Sequence, residues 1–284
     1  MDDGSSGPTR TYVLAGEPHE APRLDPGLYV VATPIGNLRD ITIRALETLA
    51  AADTIYCEDT RTSAKLLDHY GIRSRRRALH EHNEREAAEG IVNEIAGGAR
   101  IALISDAGTP LLSDPGFPLV RAAREAGLPV FAVPGPSALL AALAVAGLPT
   151  DSFSFIGFLP AKAGQRENTL ADLKARRETL VFYESPRRLV ESLRAMSAAF
   201  GADRPVAVAL ELTKRFERVH RGTLGTLVDE LAALEAIRGE AVVLVGGAPE
   251  HPPTAGDWQA ALGAALQDHP LREAVDLVAG AYGL

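Results

Sequence analysis

Along this chain, apolar runs of four or five residues alternate with longer stretches whose apolar positions recur every three to four residues. The short runs predict strands at 28–32, 54–57, 100–104 and 129–133, and the longer stretches predict helices at 41–51, 60–69, 84–96, 117–126 and 137–146. Such alternation builds a parallel sheet covered by helices on both faces. Gly147-Leu-Pro-Thr-Asp151 reads as a hinge, because a turn pair ends the helix before it. The pattern then resumes with strands at 153–157, 179–183, 205–211, 216–221 and 240–245 and helices at 167–176, 187–199 and 224–233. Arg218 to Gly222 can fold back on Val206 to Glu211 as a hairpin, which makes the second sheet mixed.

The expected fold class is therefore α/β with two domains, a mostly parallel N-terminal sheet within 27–148 and a mixed sheet within 149–248. Residues 1–26 hold few periodic apolar positions and read as a disordered arm. Residues 249–284 carry two short amphipathic helix candidates behind His251-Pro-Pro253 and read as a partial C-terminal helical segment.

Three strands break abruptly into small and turn-forming residues: 28–32 into Thr33-Pro-Ile-Gly-Asn37, 100–104 into Ser105-Asp-Ala-Gly-Thr-Pro-Leu-Leu-Ser-Asp-Pro-Gly116, and 128–133 into Pro134-Gly-Pro-Ser137. In open α/β sheets ligands sit beyond the carboxyl ends of strands, and short side chains let backbone groups approach a bound molecule. One shared pocket walled by backbone follows. Neither GxGxxG nor GxxxxGK[ST] occurs in these loops, so nicotinamide and nucleoside triphosphate readings lose support. A pocket with few cations suits an uncharged nucleoside with a short zwitterionic tail, which is the chemistry of S-adenosylmethionine.

Composition narrows this further. No apolar run among the 284 residues reaches the roughly 20 that span a bilayer, and Met1 to Arg10 is polar, so a cytoplasmic location is expected. The lone Cys57 excludes an intrachain disulfide and a multi-cysteine metal site. A net charge of -8 argues mildly against nucleic acid, although Arg73, Arg75, Arg76 and Arg77 form a dense basic run and Arg176, Arg177, Arg187 and Arg188 fall near a second candidate site.

Seven motifs follow one another in order: Thr33-Pro-Ile-Gly-Asn37, Glu58-Asp-Thr-Arg61, His80-Glu-His-Asn-Glu84, Ser105-Asp-Ala-Gly-Thr-Pro110, Pro134-Gly-Pro-Ser137, Tyr183-Glu-Ser-Pro186 and Glu211-Leu-Thr-Lys214. Together they resemble the 16S rRNA cytidine 2′-O-ribose methyltransferase branch of the tetrapyrrole methylase superfamily, over roughly Leu28 to Gly246. The resemblance implies a homodimeric enzyme with S-adenosylmethionine in a cleft between its two domains, acting on a decoding-region cytidine of 16S rRNA as naked rRNA or within the 30S subunit, and methyl transfer from a sulfonium needs no metal. It carries cofactor contacts onto Pro34 and Ile35, onto Ala107, Gly108, Thr109 and Leu112, onto Ser137 and Ala138, and onto Glu184, Leu212, Gly239 and Glu240. It further implies a basic helical unit continuing past Leu284, whose start Trp258 to Ala281 resembles, and whose loss would reduce activity.

The reaction asks for alignment of a ribose hydroxyl with a sulfonium methyl and removal of one proton. Glu58, Asp59 and Arg61 follow the second strand at the edge of the cofactor loops, so Asp59 is expected to orient or deprotonate the hydroxyl and Arg61 to position a phosphate; Asp59 as a helix cap is the competing reading. Lys214 is a second proton acceptor or a phosphate ligand. For the RNA, the expected contacts are Arg75, Arg76, Arg77, His80, Glu81, Asn83, Tyr183 and Arg187. His80 and His82 share a face of an extended segment, but no further ligand cluster completes a metal site. Two alternatives stand beside this reading. One is a precorrin or uroporphyrinogen methyltransferase, whose glycine-rich first loop is replaced here by Thr33-Pro-Ile-Gly-Asn37; the other is a non-catalytic small-subunit assembly factor with the same binding loops.

Overall fold

The computed structural model describes residues 10–249 and 255–282. The first half contains β1 (Thr11–Leu14), β2 (Glu17–Glu20), β3 (Gly27–Val31), α1 (Ile43–Ala51), β4 (Thr54–Cys57), α2 (Thr60–His69), β5 (Arg75–Ala78), α3 (Glu84–Ala96), β6 (Arg100–Ile104), α4 (Phe117–Glu125), β7 (Val130–Val133) and α5 (Ala138–Ala146). Five of these strands form a sheet in the order β5-β4-β6-β3-β7. Every pairing within it is parallel. The continuous apolar runs of β4 and β6 follow from burial on both faces. One face packs on α1 and α2 through Leu46, Leu49 and Leu67, and the other on α3 and α4 through Ile91, Ile95 and Leu119. Cys57 belongs to the first of these layers, where burial pushes its thiol pKa up and leaves it a packing residue.

Residues 10–26 correct the expectation of an arm. β1 and β2 pair antiparallel, and the hairpin is anchored by the Val13 N–H donating to the Tyr70 carbonyl at 2.7 Å and by Tyr12, 4% exposed in the core. Two four-residue strands are marginal by themselves, so the ordering comes from contacts some sixty residues away, which local patterning does not display. Strand β5 is likewise unheralded by any apolar run. It is an edge strand made of three arginines and an alanine, with charge where an edge needs protection from further pairing.

The second half contains β8 (Phe153–Phe158), α6 (Ala163–Leu173), β9 (Thr179–Glu184), α7 (Leu189–Phe200), β10 (Pro205–Leu210), β11 (Arg218–Thr223), α8 (Leu224–Ala232) and β12 (Ala241–Val245), followed by α9 (Ala255–Asp268) and α10 (Leu271–Tyr282). Its sheet runs β11-β10-β12-β9-β8. β8 and β9 are parallel and the other pairs antiparallel, the mixed sheet that the hairpin reading required. Helices α6, α7 and α8 cover one face, with Leu170, Leu193, Met196 and Leu227 in the layer.

The opposite face is covered by α5, a helix contributed by the first half of the chain. Leu139, Ala142, Leu143 and Ala146 pack against Val181, Ala207, Ala209, Val242 and Leu244 of the second sheet. Burying each of the two leucines contributes roughly 1.5–3 kcal/mol. Arg221 of β11 donates to the Ala146 carbonyl at 3.0 Å, satisfying an open acceptor at the carboxyl end of α5. This helix sits directly after the third candidate loop, so its packing ties that loop to the second domain.

Candidate active site

The three strand-end loops are laced to one another. Thr33 and Gly108 exchange backbone hydrogen bonds at 2.8 and 3.0 Å, an isolated antiparallel bridge between the first and second loops. Thr109 Oγ1 donates to the Pro136 carbonyl at 3.1 Å and joins the second loop to the third. Gly108 carries φ +83°, and a Cβ there would lie 3.3 Å from Ile35 Cγ2. A larger residue would be both strained and crowded.

These loops and the second sheet enclose a cavity of about 320 Å³. From the first half it is lined by Ile35, Ala107, Gly108, Thr109, Leu112 and Ala138; from the second by Tyr183, Glu184, Gly239 and Glu240. All ten were singled out in the sequence. Pro34 and Ser137 are buried outside the lining, and Leu212 lines an adjoining recess together with Ile35, Ala138 and Glu240. Seven further lining residues were not named as contacts, although Ser185 and Pro186 belong to the Tyr183-Glu-Ser-Pro186 motif: Ser113, Asp114, Phe158, Ser185, Pro186, Ala241 and Val242. Asp114 and Ser113 sit in the same Gly- and Pro-rich stretch as Gly108, which was the available signal. Phe158 lies at the end of β8 and carried no signal, because an apolar residue closing a strand reads as core.

Glu184 is 3% exposed, accepting from the Ser192 hydroxyl at 2.5 Å and the Ser185 N–H at 2.8 Å, with the Arg188 guanidinium at 3.5 Å. Its carboxylate fastens the Tyr183-Glu-Ser-Pro186 turn from beneath. Phe155 and Phe158 approach Tyr183 edge-on at centroid distances of 4.8 and 5.8 Å, giving the cavity an aromatic side of which Phe158, 55% exposed, forms the mouth.

Carboxylates gather at the carboxyl edge of the parallel sheet. Burial pushes the Asp114 carboxyl up from 3.8 to about 6; a hydrogen bond with Ser105 opposes the rise, and the charges of Glu58 and Asp106 add to it. Burial also raises Glu58, with Asp106 and Glu81 adding, and raises Asp106, where the N–H of Asp59 offsets part of the effect. Asp59 itself caps α2: its carboxylate accepts from the Arg61 N–H at 2.7 Å, and its own N–H donates to Asp106 at 3.1 Å. The capping reading describes its geometry. Asp59 and Arg61 are exposed and lie outside the cavity lining.

Lys214 does not meet the requirement for a proton acceptor. Burial lowers its pKa, but hydrogen bonds to Glu211 at 2.9 Å and Glu240 at 3.1 Å outweigh this and hold it above the usual lysine value, hence protonated. Its stem lies over the first loop, where a Cβ on Gly36 would come within 2.4 Å of Lys214 Cε. Glu211 also accepts from the Glu240 N–H at 3.0 Å, and a Cβ on Gly239 would sit 1.8 Å from Glu211 Oε1. The Glu211-Leu-Thr-Lys214 turn thus clamps the first loop against the Gly239-Glu240 turn.

The His80-Glu-His-Asn-Glu84 segment is largely architectural. Asn83 accepts from the His80 N–H at 2.8 Å and donates to the Ala78 carbonyl at 3.2 Å, while Glu84 Oε2 accepts from the Gly116 N–H at 2.6 Å, at the amino end of α4. The His80 and His82 rings meet edge-on at 5.9 Å, and among the described residues no group of three or more potential ligands is placed to hold a metal ion. Glu81 is exposed beside them.

The arginine run is not assembled at the cavity. Arg77 pairs with Glu94 at 2.6 Å and donates to the Tyr56 hydroxyl at 3.0 Å; Arg76 and Arg73 each lie 3.8 Å from Asp68. Arg75 lines a separate recess with Arg10, Arg73 and Asp53 at the amino edge of the sheet. Alternation along a strand sends neighbouring side chains to opposite faces, so a contiguous basic run does not become a contiguous basic surface. Arg187 is exposed and directly follows Pro186 of the cavity wall.

The family model Tetrapyrrole (Corrin/Porphyrin) Methylases matches residues 27–228. A protein of Mesorhizobium japonicum named ribosomal RNA small subunit methyltransferase I is 59% identical over 225 residues, covering 79% of this chain and 76% of that one. The protein of the same name from Escherichia coli O157:H7 is 46% identical over 259 residues, covering 90% and 91%. Among solved structures, uroporphyrin-III C-methyltransferase from Thermus thermophilus in complex with S-adenosylhomocysteine superposes with TM-score 0.54 at 19% identity, covering 78% of this chain and 97% of that one. Diphthine synthase superposes with TM-score 0.60 at 15% identity, covering 79% and 91%. At these identities the structural likeness is one of fold.

Proposed function

The chain belongs to the tetrapyrrole methylase family, and from that premise we propose that it methylates the ribose 2′-oxygen of a decoding-region cytidine in 16S rRNA. It is a methyltransferase that uses S-adenosylmethionine and acts on ribosomal RNA of the small subunit. The observation that carries this reading is the cavity: three laced strand-end loops closed by the second sheet, with apolar walls and an acidic rim. Its volume of about 320 Å³ falls within the range of small-molecule sites. Ile35, Leu112, Ala138 and Val242 offer apolar surface to a nucleoside, and Glu240 offers negative charge to a cationic tail.

S-adenosylmethionine supplies an electrophilic methyl group when bound. The protein's part is to align a hydroxyl with it, exclude competing water and take up one proton. Phe158 and Tyr183 present aromatic surface on which a splayed base can stack, and Arg187 is the exposed cation nearest in sequence to the wall. The relatives named ribosomal RNA small subunit methyltransferase I, at 59% and 46% identity, favour this reading over the tetrapyrrole alternative. The proposal includes the assembled 30S subunit as substrate, a homodimer, and a cytoplasmic location. More than half of Phe117, Leu140 and Phe216 is exposed, apolar surface that a second copy would cover. Among the described residues no helix is long and apolar enough to cross a membrane.

The deciding experiment is transfer of labelled methyl from S-adenosylmethionine to 30S subunits lacking the modification, with nucleoside mapping. Label on a decoding-region cytidine ribose is the expected result. Label on a base, or none despite cofactor binding, overturns the reading.

A further inference from the structure

We infer that Asp114, which lies in the ligand loop after β6 but was given no role in the sequence, is the catalytic group that accepts the hydroxyl proton during methyl transfer, an assignment that rests on the proposed methylation reading. Four carboxylate or phenol side chains line the cavity among the described residues: Asp114, Tyr183, Glu184 and Glu240. Glu184 is committed to Ser192, Ser185 and Arg188, and Glu240 is paired with Lys214. Burial raises the Tyr183 hydroxyl pKa, with the Asp114 charge adding, so the phenol stays protonated. Among the described residues no charged group steadies the Asp114 carboxylate, and the one group that lowers its pKa is the neutral Ser105 hydroxyl. Both groups first favoured for the task are otherwise engaged, Asp59 as a helix cap and Lys214 as a protonated clamp.

Asp114 is also held where a reacting group would need to be held. Leu111 and Ser113, both just before it in the chain, adopt left-handed backbone at φ +78° and +67°, a conformation that costs a residue with a Cβ on the order of 1 kcal/mol or more. Such a turn persists only when its surroundings over-determine it, and two anchors do so here. The Glu84 carboxylate takes the Gly116 N–H at 2.6 Å, and Ser113 lies against β8, where a Cβ at Gly157 would meet its Oγ at 3.0 Å. The last contact sets the turn against the second sheet. The two residues whose charges bear on it, Glu58 after β4 and Asp106 after β6, are both acidic, and together with burial they make it a stronger base than a solvated aspartate while leaving it ionised above pH 6.

In the step, the 2′-oxygen bonds to the methyl carbon as the carbon–sulfur bond breaks, its electron pair remaining on sulfur, and the hydroxyl proton passes to Asp114 and thence to solvent. Asp114→Asn in the full chain keeps the shape and removes the basicity. We expect kcat on 30S subunits to fall by at least about a hundredfold, the dissociation constant for S-adenosylhomocysteine measured by calorimetry to stay within threefold, and the acid limb of the wild-type kcat profile near pH 6 to disappear. A variant within tenfold of wild type with the limb retained overturns the role while leaving the methylation reading intact. Loss of S-adenosylhomocysteine affinity in proportion to activity makes Asp114 a cofactor ligand instead and equally overturns it. A wild-type chain that binds S-adenosylhomocysteine but methylates no 2′-hydroxyl overturns the underlying reading and this role with it.

Discussion

A carboxylate kept in an unfavourable setting lowers stability whenever it is charged, and Asp114→Asn tests this apart from any catalysis. The Asp114 pKa rises from 3.8 to about 6 on folding. At about 1.36 kcal/mol per pKa unit, full burial would make this roughly 3 kcal/mol. Asp114 is only partly buried, so solvent screening reduces it to about 1–2 kcal/mol. Because the folded-state pKa is raised and the group is an acid, the penalty is nearly absent below pH ~4, grows as pH rises through the interval between the two values, and is fully present above pH ~6. The Asn variant should therefore melt about 2–5 °C above the wild type at pH 8. At pH 4 the two melting temperatures should converge to within about 1 °C. Differential scanning calorimetry at both pH values, without cofactor, makes the comparison. Equal melting at pH 8, or a gap that persists unchanged at pH 4, refutes the argument that burial and the Glu58 and Asp106 charges strain this side chain.

Three further perturbations probe the same architecture. Glu84→Ala removes the charge-assisted acceptor of the Gly116 N–H and should cost about 1.5–3 kcal/mol in urea unfolding together with weaker S-adenosylhomocysteine binding; full retention of both would leave Glu84 without its anchoring role. Gly108→Val places a branched side chain at φ +83° against Ile35 and should weaken S-adenosylhomocysteine binding more than tenfold, so unchanged affinity would exclude the second loop from the site. Asp59→Ala removes the α2 cap and should lower stability by about 0.5–2 kcal/mol while kcat stays within a few-fold; a hundredfold loss of kcat in a well-folded variant would return the proton-accepting role to Asp59.

Much of this protein is legible in its local chemistry. The change from short apolar runs to helical periodicity marks most of the strands and helices, because a strand buried on both faces has no polar positions to spare and a covering helix has one apolar stripe. The loops after β3, β6 and β7 are visible for a related reason, since only glycine, proline and small residues let three backbones meet at one sheet edge, and ten residues named from the motifs and the resemblance do line one cavity. What escaped depends on partners distant in sequence. The β1–β2 hairpin is ordered by Tyr70, the arginines of β5 are divided among Glu94, Asp68 and the far edge of the sheet, and α5 is apolar all round because it joins the second sheet to a loop of the first. The roles of the acidic residues were least readable, for a carboxylate's chemistry is set by its surroundings. Asp59 caps a helix because its neighbour's N–H faces it, and Asp114 becomes a base because burial and two further carboxylates surround it, relations that exist only once the chain has folded.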